Sequence, residues 1–346
     1  MLQKFGSATF GACLTTMLPL SSAAADTVEA FYKGNTVSVL IGSGVGGGYD
    51  LYGRLLSRHI GRHIPGNPTV VVRNIPGAGG IIQANNLYNI APRDGSTLGI
   101  VHNTLTINQL AESKNIKFDV RKFSWIGNLN VMSTTCTMST REKLISREDF
   151  RREILIGASG GSTSMIPMLL NSLAGMNFKL VHGYKSTGNV LLAMETGEVN
   201  GVCGWGWDGA KILAKDQLGR NVVKIQLDIA NAPHPELQSM KVPFLMDLMP
   251  EGENKEVMKL ILSTQIYGRP FAGPPEMPSD RLAALRNAFQ AMVEDKEFIA
   301  ESDKTGQEVR PQRPEEFLPA IDSALDAPEK VRTRALEELK KAGFTF

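Results

Sequence analysis

The chain has 346 residues, of which 42% are apolar and 21% charged, as expected for a globular protein of about two domains. This composition excludes a disordered chain and a long coiled coil. Because 37 basic side chains stand against 35 acidic ones, the net charge is only +2. The chain therefore has no basic field that would hold nucleic acid or an anionic membrane, and any anion must be bound locally.

The first 25 residues are predicted to be a signal peptide. Lys4 is their only charge, and an apolar stretch leads to small residues that suit cleavage before Asp26. A membrane-spanning helix is the alternative, but the stretch falls short of about 20 apolar residues and contains Pro19. Lipidation at Cys13 is disfavoured because no aliphatic residue stands three positions before it. The mature chain is therefore expected to be soluble and to lie outside the cytoplasm.

Two series of alternating strands and helices follow. The first is predicted as strand 37–41, helix 51–64, strand 69–72, helix 82–89 and strand 97–102. The second is predicted as strand 154–157, helix 165–174, strand 179–182, helix 189–196 and strand 199–203, before C-terminal helices at 280–294, 314–323 and 328–342. Such alternation predicts two parallel-sheet α/β domains. No low-complexity linker separates them, which favours domains joined by crossing strands.

A glycine-rich loop spans residues 42–50, between the first strand and the first helix. Gly42, Gly44 and Gly47 match the dinucleotide fingerprint, but Arg73 and Asn74 stand where a nicotinamide site needs an acidic residue. We therefore expect no cofactor. Free backbone amides and the positive end of a helix dipole still favour an anion by about 0.3–1 kcal/mol, which suits a small carboxylate.

A second glycine-rich loop, residues 76–80, follows the next strand. In a parallel sheet this loop opens at the same carboxyl edge as the first. Two adjacent loops of this kind form one nest of amides for an anion, whereas either loop alone would be interpreted as a tight turn.

A third loop, residues 157–164, also fits the nucleophile elbow G-x-S-x-G. Ser159 would then be an esterase nucleophile, with Asp208 and His234 following in the required order. No separate oxyanion motif precedes it. The other interpretation is a helix N-terminus whose hydroxyls and amides hold a second polar group of a ligand.

Several isolated residues allow more than one interpretation. His59 and His63 have metal-ligand spacing, but no third ligand accompanies them, so we expect a surface pair and no metal site. Trp205 shares period-2 spacing with Trp207, which is compatible with core packing or with a cavity wall.

The two cysteines of the mature chain also leave two possibilities open. Cys136 and Cys203 form a disulfide or stay as buried thiols, since an oxidising compartment permits a bridge without requiring one.

The combined motifs resemble the substrate-binding receptors of tripartite tricarboxylate transporters, the Bug family. The resemblance covers nearly the whole mature chain and rests on residues 37–54 with Gly46-Gly47-Gly48-Tyr49-Asp50, on 70–80, 91–99 and 157–164, on Tyr184-Lys185, and on 197–199, 271–275 and 313–317.

This resemblance implies a two-lobed type II periplasmic binding protein fold with the ligand between the lobes. Domain 1 would comprise residues 26–126 and 239–346, and domain 2 residues 127–238. The chain would be a monomeric receptor that binds no nucleic acid and catalyses no reaction. It would capture a small organic carboxylate and deliver it to membrane permease subunits. The receptor topology would also bring Cys136 near Cys203.

The resemblance also implies which residues bind. The first two loops would hold one ligand carboxylate, largely through backbone amides and ordered water, and the third loop would hold the distal end. The candidate ligand-binding residues are Ser43, Gly44, Gly46, Gly47, Tyr49, Asp50, Gly77, Ala78, Gly79, Asn103, Ser159, Gly160, Ser162, Thr163, Ser164, Trp205 and Asp208.

Departures from the family pattern concern the ligand. Gly42-Ser43 replaces a Pro-Phe pair of many relatives, and Gly204-Trp205 stands where they carry an aspartate. The second lobe is one residue shorter around Gly160. We infer a reshaped pocket, so that an aromatic or flat carboxylate is a hypothesis beside a short dicarboxylate. The alternative function is a secreted serine hydrolase with Ser159 as its nucleophile.

The first testable prediction concerns the mature end. Intact-mass measurement of the exported protein should give a chain that begins at Asp26, because the small residues before it suit signal peptidase. A mature form that retains Leu2 or carries a diacylglyceryl group on Cys13 would contradict the predicted export route.

Overall fold

The computed structural model describes Met1 and residues 27–46, 48–142, 148–159 and 161–344. The predicted signal peptide beyond Met1, its cleavage site, and the candidate residues Gly47 and Gly160 lie outside the described residues.

The described residues form ten strands and fifteen α-helices. The strands are β1 Thr36–Ile41, β2 Thr69–Asn74, β3 Thr97–Ile100, β4 Ser124–Asn128, β5 Thr134–Ser139, β6 Ile154–Gly157, β7 Phe178–Val181, β8 Gly201–Gly206, β9 Val223–Ile229 and β10 Pro270–Gly273. The helices are α1 Val28–Tyr32, α2 Gly48–His59, α3 Ile81–Asn89, α4 Leu105–Leu110, α5 Ser162–Ala174, α6 Thr187–Thr196, α7 Trp207–Leu213, α8 Lys215–Gly219, α9 Pro235–Ser239, α10 Leu245–Leu248, α11 Glu253–Leu262, α12 Ser279–Val293, α13 Lys296–Thr305, α14 Pro314–Leu325 and α15 Glu329–Lys341. Short 3₁₀ turns occur at Ile60–His63, Ala78–Gly80, Val120–Lys122, Asp149–Arg151 and Ser263–Tyr267.

The strands make two five-stranded sheets, one in each lobe. The order is β2-β1-β3-β10-β4 in the first lobe and β7-β6-β8-β5-β9 in the second. The predicted two-lobed α/β fold is confirmed, but the sheets are mixed and not purely parallel. β10 runs antiparallel to β3 and β4, and β5 runs antiparallel to β8 and β9. Both exceptions lie where the chain passes between the sheets, because the crossing sets the direction in which a strand enters.

The connection between the lobes is organised around Asn128, which is fully buried at the end of β4. From here residues 129–133 lead directly into β5. The Asn128 side chain accepts a hydrogen bond from the Arg269 amide at 2.8 Å and donates one to Gln312 Oε1 at 2.7 Å. One side chain thus joins the segment that leaves the first lobe to the segment that returns at Arg269 and to the residues just before α14.

The C-terminal helices are shared between the lobes. α14 packs against β4 in the first lobe, whereas α11 and α15 pack against α5 in the second. The division at residues 126 and 238 stays a prediction, and these contacts indicate that α11 and α15 accompany the second lobe. Among the described residues, no helix combines the length and apolar character needed to cross a bilayer.

The two cysteines are paired in the structure. Cys136 on β5 and Cys203 on β8 stand directly opposite each other in the antiparallel register and form a disulfide, buried in the core of the second lobe. The structure therefore supports a disulfide and not two buried thiols. The expectation that the cysteines approach each other is confirmed.

Removal of this disulfide should destabilise the protein without changing the fold. The bridge spans 67 residues, for which the loss of unfolded-state entropy predicts about 2–4 kcal/mol of stabilisation. Guanidinium unfolding of the Cys136→Ala, Cys203→Ala double variant should show this loss. Reductant should lower the stability of the wild-type protein similarly and leave the double variant unchanged. Two titratable thiols in unfolded, unreduced periplasmic protein would contradict the prediction.

Candidate functional site

The candidate site begins where three neighbouring strands of the first lobe end. β2, β1 and β3 are parallel neighbours, so the loops after Asn74, Ile41 and Ile100 emerge at one edge. The loops approach closely, since a Cβ on Gly42 would lie 3.0 Å from the Cα of Gly80. The predicted adjacency of the two glycine-rich loops is confirmed by this geometry.

Asp50 holds these loops together. Its carboxylate is 1% exposed and accepts hydrogen bonds from the Gly46 amide at 2.8 Å, from Arg54 Nε at 2.9 Å and from Asn74 Nδ2 at 2.8 Å. Asn74 Nδ2 also donates to the carbonyl of Ser43 at 2.9 Å. The structure therefore uses Asp50, predicted as a ligand-binding residue, to brace the loop from within.

The charge of Asp50 is stabilised by these donors. Burial alone would raise the pKa of the carboxyl group, but the hydrogen bonds from Arg54, Gly46 and Asn74 outweigh burial and lower the pKa to about 2. Arg54 also forms an ion pair with Asp50, so the two side chains together carry no net charge.

Several loop positions adjoin open space. A Cβ added to Gly44, Gly46 or Gly79 would meet no atom within 4 Å, and Gly79 has a φ of +60°. Ala78 is exposed and also has positive φ, while Gly77 is covered by the side chain of Ile82. The exposed backbone of Gly44 and Gly79 is therefore accessible to a bound anion, whereas the Gly46 amide is already engaged by Asp50.

Tyr49 and Asn103 are brought together beside the loops. The Tyr49 hydroxyl donates to Asn103 Oδ1 at 2.9 Å and accepts from the Asn103 amide at 3.1 Å. The Tyr49 ring stacks on His102, with 3.8 Å between centroids. Burial, aided by the charge of Arg269, lowers the pKa of His102 to about 4, so His102 is neutral at pH 7.

Arg269, which was not predicted as a binding residue, lies against the rings of Tyr49 and Tyr52. Its guanidinium carbon lies 4.6 Å from the centroid of the Tyr49 ring and 5.0 Å from that of Tyr52. The residue is 9% exposed, and its Nη1 donates to the carbonyl of Gly268 at 2.8 Å. The available sequence signal was a single arginine directly before the apolar strand β10.

The third loop belongs to the second lobe. The Ser159 amide donates to Thr163 Oγ1 at 3.0 Å, and the Ser159 hydroxyl lies 3.4 Å from Thr163 Oγ1 and 3.5 Å from Thr187 Oγ1. Thr163 is buried, whereas Ser162 is exposed and Ser164 half-buried in the first turn of α5. The loop thus presents hydroxyl groups at a helix N-terminus, as predicted.

The residues named for a hydrolase have other partners. His234 Nε2 lies 2.6 Å from Glu308 Oε1, and its Nδ1 accepts the Glu236 amide at 3.2 Å. Asp208 accepts the amide of Gly209 at 2.8 Å. Among the described residues, Ser159 has no hydrogen bond to a histidine, so the geometry does not assemble a serine triad.

The two tryptophans contribute to the core of the second lobe. Trp205 is 7% exposed, and its Nε1 donates to Thr137 Oγ1 at 3.1 Å. Trp207 is 4% exposed, and its Nε1 donates to Glu236 at 2.7 Å. These contacts favour core packing for Trp205. The period-2 argument fails because β8 ends before Trp207, which begins α7.

The histidine pair is part of an ion-pair network with α13. His59 Nε2 lies 2.5 Å from Glu301, and His63 Nε2 lies 3.0 Å from Asp295. His59 is buried, so the expected surface pair is wrong for this residue. Within the described ranges, no group of three histidine, cysteine or acidic side chains could hold a metal ion.

The larger cavities lie away from the glycine-rich loops. One of about 640 Å³ is lined by Trp207, Lys215 and Lys241 in the second lobe, and one of about 580 Å³ lies between α7 and α13. The candidate site is therefore defined by the polar groups at the sheet edges and not by an enclosed volume.

Comparisons with known proteins agree with this architecture. No family model matches the chain. A UPF0065 protein encoded in the gbd 5′ region of Cupriavidus necator is 27% identical over 201 residues, which are 55% of this chain and 60% of that relative. The match thus spans less than two thirds of the curated relative.

Three solved structures have the same fold. A ligand-free TctC solute-binding protein from Polaromonas is 15% identical with a TM-score of 0.67, covering 90% of this chain and 99% of that one. The periplasmic binding protein BugD is 20% identical with a TM-score of 0.55, covering 90% and 99%. A Rhodopseudomonas palustris protein with adipate is 18% identical with a TM-score of 0.57, covering 87% and 97%. The resemblance to this family is confirmed in the fold: the chain has the two-lobed fold of TctC and Bug solute-binding proteins.

The loop brace makes a pH-dependent contribution to stability. Because the folded-state pKa of Asp50 is below the value of about 3.9 in an unfolded chain, its stabilisation is present above that value and lost as pH falls toward 2. Asp50→Asn should cost about 1–2 kcal/mol at pH 7, allowing for solvent screening, and the difference from wild type should shrink below about pH 5.

Denaturant unfolding between pH 7 and pH 3 measures this effect. Glu337→Gln, at an exposed acid that accepts no hydrogen bond from the described residues, is the matched control and should change stability by less than about 0.5 kcal/mol. A loss in Asp50→Asn that stays constant with pH would show that the carboxylate charge does not brace the loop.

Proposed function

We propose that the protein is a periplasmic solute-binding receptor, which captures a small organic carboxylate between its lobes and delivers it to the permease subunits of a tripartite tricarboxylate-type transporter. The observation that carries this proposal is the braced edge of the first lobe, where Gly44 and Gly79 present exposed backbone in the loops near the start of α2. Such a surface suits a carboxylate, which accepts several hydrogen bonds at once.

The second lobe supplies a complementary polar edge. Ser162 and Ser164 in the first turn of α5, with Ser159 just before the helix, offer hydroxyl groups to the distal end of a ligand. The connection through Asn128 gives the lobes a place to hinge. The fold shared with BugD, and the adipate in the Rhodopseudomonas structure, support a periplasmic location and a carboxylate ligand.

A thermal-shift screen tests the proposal directly. Sodium salts of adipate, malate, citrate and benzoate cover short, long, branched and flat carboxylates. At least one is expected to raise the melting temperature without being consumed, because a ligand that binds the folded state stabilises it by mass action. Stoichiometric labelling of Ser159 by a fluorophosphonate probe, with turnover of an ester, would favour the hydrolase instead.

The glycine loops should determine affinity through their backbone. Gly79→Val places a branched side chain in the open space over the loop, where it obstructs the amides. If the wild-type protein binds its best carboxylate with micromolar Kd, about 8 kcal/mol is involved, and we expect at least a tenfold loss in the variant by titration calorimetry.

The matched control is Gly175→Val at the end of α5. Gly175 has a φ of +68°, close to that of Gly79, and likewise has no atom within 4 Å of an added Cβ. It should therefore suffer similar backbone strain while leaving affinity unchanged. Equal losses in both variants would attribute the effect to strain and reject the role of the Gly79 loop.

A further inference from the structure

Arg269 is a buried cation for which the described residues provide no carboxylate partner. No aspartate or glutamate oxygen of the described chain lies within 4.0 Å of its guanidinium nitrogens. The residue is nevertheless buried, with only 9% of its surface exposed. Its Nε has no hydrogen-bond partner among the described residues. A buried charge without a counter-ion costs several kcal/mol, so an arginine in this state is suited to an external anion.

The nearby acids are already engaged elsewhere. Asp208 and Glu308 both act electrostatically on Tyr52, the ring that lies under Arg269. Glu308 is paired with His234 at 2.6 Å and with Lys211 at 3.6 Å. Asp208 accepts the amide of Gly209. Neither neutralises Arg269 by direct contact.

The guanidinium is held at the start of α2. Its Nη2 would lie 3.2 Å from a Cβ on Gly48, the first residue of this helix, and the rings of Tyr49 and Tyr52 lie within cation–π distance. Two positive features, an arginine and a helix N-terminus, thus adjoin each other, although they repel in the absence of an anion. The buried Oγ of Ser43 and Nε2 of His102, in the neighbouring loops, also lack hydrogen-bond partners within the described part of the chain.

We propose that Arg269 is the charged partner of the ligand carboxylate and that the carboxylate binds between its guanidinium and the first turn of α2. This inference rests on the proposed function and extends it, because backbone amides alone would bind any small acceptor whereas an arginine selects an anionic one. The planar guanidinium donates two hydrogen bonds in the geometry that a carboxylate accepts. The ligand class is therefore an acid that is ionised when bound, and its primary amide should be rejected.

The test uses the full mature protein and the carboxylate that gives the largest shift in the panel of adipate, malate, citrate and benzoate. Calorimetry should show at least 100-fold weaker binding in R269M, and about tenfold weaker binding in R269K, which keeps the charge but loses the fork. R73M changes an exposed arginine near the end of β2, at the same sheet edge, and should keep affinity within threefold. Melting temperature and circular dichroism verify folding of each variant.

A second measurement does not depend on the variants. Wild-type protein should bind the acid at least 100-fold more tightly than its primary amide. A preference below threefold, or a folded R269M with unchanged Kd, would overturn the role of Arg269 while leaving the receptor function intact. Failure of the wild-type protein to bind any acid of the panel would instead reject the proposed function, and this inference with it.

Discussion

The carboxylate of Asp50 is the constraint on which the first lobe's binding edge depends. Loops rich in glycine lose much conformational entropy on ordering and do not hold a shape unaided. Asp50 fixes them by joining the amide of Gly46 to the side chain of Asn74, which in turn holds the carbonyl of Ser43. Arg54 neutralises the charge of Asp50, so the brace does not repel an approaching anion. The loop backbone is therefore held in place without a net negative charge beside the anion.

Arg269 links the binding edge of the first lobe to the segment at Asn128 that connects the lobes. The backbone amide of Arg269 donates to Asn128, where the lobes are joined, while its side chain reaches the Tyr49 and Tyr52 rings on α2. A residue proposed to contact the ligand therefore also belongs to the segment that connects the lobes. The proposed ligand contact is thus made by the residue whose own backbone amide helps to join the lobes.

Local patterns in the sequence predicted the features that depend on neighbours in the chain. The β1, β6 and β7 strands, helix α3 and the glycine-rich loops follow from apolar periodicity and clustered glycines within short windows. Features set by distant partners were not predictable in this way. The brace needs Asn74, which is 24 residues from Asp50, and the mixed sheets arise from β10 and β5, the strands through which the chain enters each lobe from the other. Trp205 was ambiguous because strand periodicity cannot show where β8 gives way to α7.

The chain passes from the first lobe to the second between α14 and α15. α1, near the start of the described chain, packs against α12 in the first lobe, whereas α15, near its end, packs against α5 in the second. The first and the last helix of the described residues thus lie on different lobes. Fluorescent proteins fused at these ends would each be carried by one lobe, and energy transfer between them would convert lobe movement into an optical signal, with no dye or substitution near the sheet edges.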